Sequence, residues 1–141
     1  MAERVELQRE LDAARVDVFR LVATADGLRS WLDGAELEPR VGGVIRLQLR
    51  AGRAEGKVLS LAEPQHISFT FDWLDEPLGA PTVVAFDAID HGARTHFTLR
   101  HVGLPGRRQV ELHEAMWRHW LERLVALASR RLPEKVETTH P

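Results

Sequence analysis

Hydrophobic and polar side chains alternate from the start of the chain. Val5, Leu7 and Leu11 fall on one side, and Glu6, Gln8 and Glu10 on the other. A period of two predicts a strand with one buried face. Asp12 then stands as a helix cap, and Val16, Phe19 and Val22 recur at helical spacing after it. Thr24 or Asp26 restarts a short second helix with Leu28, Trp31 and Leu32 as its apolar side, ended by Asp33-Gly34. The period then returns to two. Ala35 to Glu38 reads as a short strand and Pro39 to Gly43 as a turn. Ile45, Leu47 and Leu49 form one strand face. Ala51-Gly52-Arg53 connects to a strand from Gly56 to Leu61, which Glu63-Pro64 breaks. Ile67, Phe69, Phe71 and Trp73 alternate with Ser68, Thr70 and Asp72, and Pro77 to Pro81 is a loop. Val84 and Phe86 share the face of the next strand, Asp90-His91-Gly92 turns the chain, and Phe97, Leu99 and His101 share the face of the last strand.

After Gly103 to Gly106 the spacing becomes helical and stays so from about Gln109 to Arg131. Leu112, Met116, Trp120, Leu124 and Leu127 make its expected apolar stripe, widened by Trp117, Leu121, Val125 and Ala128. Pro133 is expected to stop it. The order is one strand, two short helices, about six strands in meander order and one long helix. Strands joined by short turns imply an antiparallel sheet. Its apolar face needs a cover, and the last helix is the element long enough to supply one. The expected class is α+β: a curved antiparallel sheet wrapped around a long C-terminal helix, as a single domain over residues 1–133 with a polar, frayed tail over 134–141.

Composition narrows what such a domain does. With 44% apolar and 28% charged residues, the 141-residue chain falls in the ordinary globular range rather than among disordered ones. A net charge of -2 carries no electrostatic footprint for nucleic acid. The absence of cysteine excludes disulfides, thiolate metal sites and a cysteine nucleophile. No stretch approaches the ~20 apolar residues of a membrane span, and the first residues lack the apolar run of a signal peptide. A cytoplasmic protein is expected.

The candidate chemistry is aromatic. Trp31, Phe69, Phe71, Trp73, Phe86, Phe97, Trp117 and Trp120 concentrate on faces expected to point inward. Such rings fill a core or line a ligand pocket, and pockets are mostly apolar with a few polar groups for orientation. In the pocket reading Leu112, Met116 and Trp120 form its helix side, and Phe69, Phe71, Phe86 and Phe97 its sheet side, while Leu121 to Ala128 is plain core. His101 shares a face with Phe97 and Leu99. It is either bonded to backbone at a strand end or an anchor for a ligand carbonyl or hydroxyl.

Metal and catalytic readings find little. His113 and His119 are six residues apart rather than the four that place two histidines on one helix face. His91, His96 and His101 are scattered along a hairpin. There is no Gly-x-Ser-x-Gly elbow. Ser30, Ser60, Ser68 and Ser129 read as surface or capping residues, Asp72 as solvent-facing, and Asp87 with Asp90 as solvated near a turn. No catalytic residue, metal or cofactor is expected.

Three stretches carry a family resemblance. Ala14 to Phe19 with Leu28 to Trp31, then Gly42-Gly43 before a strand with Thr95 to Leu104, then Trp117 to Leu124 occur in order across nearly the whole chain. Together they resemble the START-like superfamily, in the branch named for the activator of heat-shock protein 90 ATPase. The resemblance implies the helix-grip fold, β-α-α-β(6)-α. It also implies one of three functions. The first is binding of a small hydrophobic or aromatic molecule between sheet and terminal helix, by Trp31, Phe69, Phe71, Trp73, Phe86, Phe97, His101, Leu112, Met116 and Trp120. The second is a co-chaperone-like or stress-related interaction module. The third is a cyclase- or hydrolase-like enzyme that works by shaping its substrate. The co-chaperone itself resembles this chain in one domain only, which points away from direct chaperone activation. The sequence does not fix an oligomeric state, and a homodimer is a fair expectation only because dimers are common.

Overall fold

The computed structural model describes the backbone of residues 4–138 and the side chains of residues 4–130. Strand β1 (Val5–Leu11) is followed by helices α1 (Arg15–Ala23) and α2 (Ala25–Arg29). Six strands come next: β2 (Gly34–Leu37), β3 (Val44–Leu49), β4 (Gly52–Ala62), β5 (His66–Trp73), β6 (Thr82–His91) and β7 (Arg94–Val102). Helix α3 (Gly106–Thr138) ends the chain. The strands form one antiparallel sheet in the order β1-β7-β6-β5-β4-β3-β2. Six consecutive strands meander, and β1 returns to pair with the last of them, Leu7 opposite Leu99. The sheet is curved and open, and α3 lies across its inner face, the α+β helix-grip arrangement expected of the sequence.

The inner face is built by alternation. Ile45, Leu47 and Leu49 of β3, Ile67, Phe69 and Phe71 of β5, Val84 and Phe86 of β6, and Phe97 and Leu99 of β7 are all at most 3% exposed. Their neighbours in sequence point outward, where cross-strand ion pairs such as Arg46 with Glu36 and Glu55 sit in solvent. Two glycines permit close approaches. A Cβ on Gly56 would stand 1.7 Å from the Thr70 carbonyl oxygen, and one on Gly27 1.8 Å from that of Arg20.

Several expectations are corrected. Helix α1 starts at Arg15 with Ala14 as an N-cap that makes no side-chain bond. Asp12 instead pairs with Arg94 at 2.9 Å. Of the two starts expected for α2, Thr24 is the cap, its Oγ1 accepting from the Gly27 amide at 2.9 Å. Val16 is 47% exposed, whereas Phe19 and Val22 are buried as expected, joined by Val18, Leu21 and Ala23. Strand β4 begins four residues earlier than expected, because its first residues pair with β3 across the tight turn. Helix α3 begins at Gly106 and runs through Pro133 to Thr138. A proline costs a helix one hydrogen bond, but its fixed φ is helical, so it does not force an end. Residues 134–138, expected as frayed tail, therefore continue the helix, and 139–141 lie outside the described residues.

The largest correction concerns the phase of α3. Its buried stripe is His113, Trp117, Trp120, Leu121, Leu124 and Ala128. Leu112 is 52% exposed and Met116 half-buried. The helix is turned by one residue from the expected stripe, so that a histidine rather than a leucine begins the inward row.

Candidate functional site

The middle of the grip is filled with rings. Phe86 lies 6.1 Å from Trp31, 5.6 Å from Phe69, 5.8 Å from Phe97 and 6.2 Å from Trp117, centroid to centroid. Phe71 continues the chain to Trp117 at 6.1 Å. These are the spacings of packed aromatic pairs. Trp31, Phe69, Phe71, Phe86, Phe97 and Trp120 are at most 2% exposed. They belong to the core and are not among the residues lining the cleft beside Trp73.

Towards the N-terminal end of α3 the packing opens. A cleft of about 860 Å³ lies between the β3–β4 turn, the loop after β5 and the first turns of α3. Trp73 and His113 form its floor, and Leu78, Leu112 and Met116 its apolar walls. Arg53, Asp75, Glu76 and Gln109 stand around it. Trp73 arrives there as the last residue of β5, on the inward phase of that strand. The loop is fastened by Asp72, whose Oδ1 accepts from the amides of Trp73 at 2.9 Å and Leu78 at 2.8 Å. Asp72 is thus half-buried and holds the cleft wall, rather than simply facing solvent.

Beneath the floor the hydrogen bonds are fully assigned by donor chemistry. An indole N–H only donates. Trp117 Nε1 donates to His101 Nδ1 at 3.0 Å, so that nitrogen is bare. The proton of the neutral ring then sits on Nε2, which donates to Thr82 Oγ1 at 2.6 Å. Thr82 in turn donates to the Phe71 carbonyl at 2.8 Å. His113 follows the same logic with its nitrogens exchanged. Trp73 Nε1 donates to Nε2 at 2.9 Å, and Nδ1 donates to the Gln109 carbonyl at 2.8 Å. The two imidazoles meet edge to face, 5.2 Å apart.

Burial disfavours the charged form of His101, and the nearby His113 adds repulsion, so its pKa is pushed down to about 3. That of His113 is also lowered by burial, partly offset by its bond to Gln109. Both rings are neutral near pH 7. His101 is the inward polar residue of the sequence reading, but both its nitrogens are occupied by protein groups and none is left for a ligand. It holds Trp117 and Thr82 under the cleft.

Of the ten residues expected to bind a ligand, Trp73, Leu112 and Met116 come together on the cleft. The other seven lie behind it in the core. Sequence reasoning missed His113, weighed there only as a metal ligand. The signal was its i, i+4 spacing from Trp117, which places both on one helix face. It also missed the rim charges: Arg53, expected in a connection but placed at the start of β4, and Asp75 and Glu76 in the loop after β5, where alternation carries no information. Trp120 is buried with its indole nitrogen unpartnered among the described residues, and its ring is covered by Arg123 at 5.4 Å. Among the described residues, no three histidine or carboxylate side chains converge as a metal site would require, and no helix is long and apolar enough to cross a membrane.

Comparison with known proteins places this geometry in context. The sequence model of the family described as "Activator of Hsp90 ATPase homolog 1-like protein" matches residues 12–129. No curated protein matches significantly. Among solved structures, a protein from Mesorhizobium loti superposes with a TM-score of 0.80 at 20% identity, over 90% of this chain and 97% of that one. An HSP90 activator from Plasmodium falciparum gives 0.76 at 19% identity, over 89% and 95%. The Aha1 dimer from Colwellia psychrerythraea gives 0.75 at 16% identity, over 89% and 95%. At these identities the likeness is one of fold.

Proposed function

The chain belongs to the Activator of Hsp90 ATPase homolog 1-like family, and from that membership and the shape of the grip we propose that it binds a small hydrophobic or aromatic molecule at the open end, against Trp73, Leu112 and Met116. The observation that carries this reading is the cleft itself. Its volume of about 860 Å³ is within the range of small-molecule sites, and its apolar walls stand among a few charged groups. Leu112, 52% exposed on an otherwise amphipathic helix, leaves an apolar side chain open to solvent beside the cleft. In this reading an apolar ring lies on the Trp73–His113 floor and a polar end reaches Arg53 or Gln109. The core aromatics and His101 keep the floor rigid and touch no ligand.

A screen of fatty acids, flavonoids and polyketides by thermal shift and tryptophan emission tests it. A binder is expected to raise the melting temperature by several degrees, as any ligand of the native state must. It should change emission through Trp73, an effect lost in Trp73→Phe. Met116→Asp should weaken binding by about tenfold or more, since about 1.4 kcal/mol of apolar contact is worth that factor. No shift with any compound would contradict the reading.

One observation favours a second reading. The same fold serves an HSP90 activator in Plasmodium falciparum, and an exposed Leu112 beside an open cleft also suits an apolar segment of a partner protein. Stoichiometric recovery of a chaperone from a lysate, lost in Leu112→Asp, would select it. Self-association through this end, in a fold of which the Colwellia psychrerythraea structure is a dimer, would instead show as a concentration-dependent mass.

A further inference from the structure

On the outer face of the sheet, a second arrangement stands apart from the cleft. Along β5 the inward positions are Ile67 and Phe69, so His66 and Ser68 point outward. On β4 the alternation breaks between Val58 and Ser60. The register against β5 moves from Val58 opposite Phe69 to Ser60 opposite Ser68, and Leu59 is the extra residue of a β-bulge. Without the bulge, Ser60 would share the inner face with Ala54 and Val58. With it, Ser60 stands outside, beside Ser68 and His66. Across β5, His66 is in register with Asp87 of β6.

The three side chains meet in a line. Ser60 Oγ is 2.7 Å from His66 Nε2, and His66 Nδ1 is 2.7 Å from Asp87 Oδ1. A carboxylate only accepts, so Nδ1 carries the ring proton and Nε2 accepts from the Ser60 hydroxyl. Ser60 has then spent its one proton, and its oxygen accepts from Ser68 Oγ at 2.5 Å. Arg100 holds the second carboxylate oxygen of Asp87 at 3.4 Å and reaches Glu6 at 3.6 Å. The side chains of His66 and Asp87 are 32% and 23% exposed, so a solute reaches them. The expectation that Ser60 and Ser68 are plain surface residues and Asp87 a solvated carboxylate is therefore not met.

We propose that Ser60 is a nucleophile, with His66 as its general base and Asp87 orienting that base, and that it accepts the acyl group of small activated esters. Nucleophile, base and orienting carboxylate each lie within the hydrogen-bond reach such a relay requires. The cluster is partly screened from water, Ser68 being only 8% exposed and Ser60 half-buried, and the bulge and the matched register together hold its polar groups in one line. The three residues line neither the cleft at Trp73 nor the two clefts beside β2 and β3, so the acyl group is small and the leaving group must be a good one, such as a phenolate. In the first step Ser60 Oγ bonds to the acyl carbon while its proton passes to His66 Nε2. The ester C–O bond breaks, and the leaving phenolate takes that proton. In the second, water attacks the acyl carbon, gives a proton to His66 and releases the carboxylic acid as Ser60 regains its hydrogen. The site is on the opposite side of the sheet from the cleft and stands or falls without it.

The test is a stopped-flow reaction of the full chain with p-nitrophenyl acetate, followed by peptide mass mapping. A burst of nitrophenol approaching one equivalent is expected, with acetyl found on Ser60. Ser60→Ala should abolish the burst. His66→Gln should slow it by roughly 100-fold or more, the usual worth of a general base. Ser129→Ala should leave it unchanged. Circular dichroism confirms that each variant is folded, and the adduct map on the unmodified sequence stands even if one is not. Absence of acetyl on Ser60, a burst that survives Ser60→Ala, or one indifferent to His66→Gln would each overturn the proposal.

Discussion

A tryptophan offers one donor and no acceptor, and three of the four here find a neighbour that accepts, whereas the Trp120 nitrogen is buried with no partner among the described residues. Trp31 uses the Leu21 carbonyl, while Trp117 and Trp73 use the imidazoles of His101 and His113. Each imidazole is thereby fixed as one neutral tautomer. Replacing His101 with leucine removes the acceptor of Trp117 and the donor to Thr82. A loss of about 1–3 kcal/mol at neutral pH is expected for the orphaned buried donor, measured by denaturant unfolding. The same pair sets an acid response. In the folded protein the pKa of His101 is about 3 against an ordinary 6.5, and that of His113 is also lowered. Below pH 6.5 the unfolded chain therefore binds protons that the folded protein refuses. Stability is full above that value and falls as pH drops toward 3, by about 1.4 kcal/mol per pH unit for the His101 proton, with His113 acting in the same direction. His101→Leu should make that decline shallower by close to one proton. An unchanged slope would show that another group controls it.

Among the elements, α3 shows what periodicity conveys and what it withholds. Its helical period was legible though its ends were not, and Leu121, Leu124 and Ala128 are core as expected. Its phase was not, because Leu112, Met116, Trp117, Trp120 and Leu121 offer two overlapping apolar stripes. The choice between them rested on His113, which counts as polar until a tryptophan is found to pair with it. The structure predicts unequal costs along the helix. Leu124→Ala should lose about 2–4 kcal/mol, having no solvent to fill its place, whereas Leu112→Ala should change stability by less than about 0.5 kcal/mol. Similar losses at both, in thermal or chemical denaturation, would restore the stripe expected from sequence. In β4 the bulge at Leu59 was illegible for a related reason. Val58-Leu59-Ser60-Leu61 fits either phase of a strand, and only its pairing with β5 decides that Ser60 faces outward.

For the whole molecule, alternation and turn residues conveyed the order of elements, the antiparallel meander and the curved sheet closed over by a helix. They could not convey how well the interior is filled. An inward face is a statement about direction, and a cavity is a statement about volumes summed from many elements. The rings of Trp31, Phe69, Phe86, Phe97 and Trp117 fill the centre, and open space is left where β5 and the start of α3 diverge around Trp73 and Leu112. The four tryptophans report on this directly, because Trp73 lies on the cleft and Trp31, Trp117 and Trp120 lie within the core. The decisive measurement is an NMR titration of the nitrogen-labelled protein with 8-anilinonaphthalene-1-sulfonate, an amphiphilic aromatic probe, following the indole N–H signals. The Trp73 signal should move together with the amides of Leu112, His113 and Met116 while the other three indoles stay still. Movement of Trp31 or Trp117 with Trp73 unaffected would place the binding space inside the core and contradict this account.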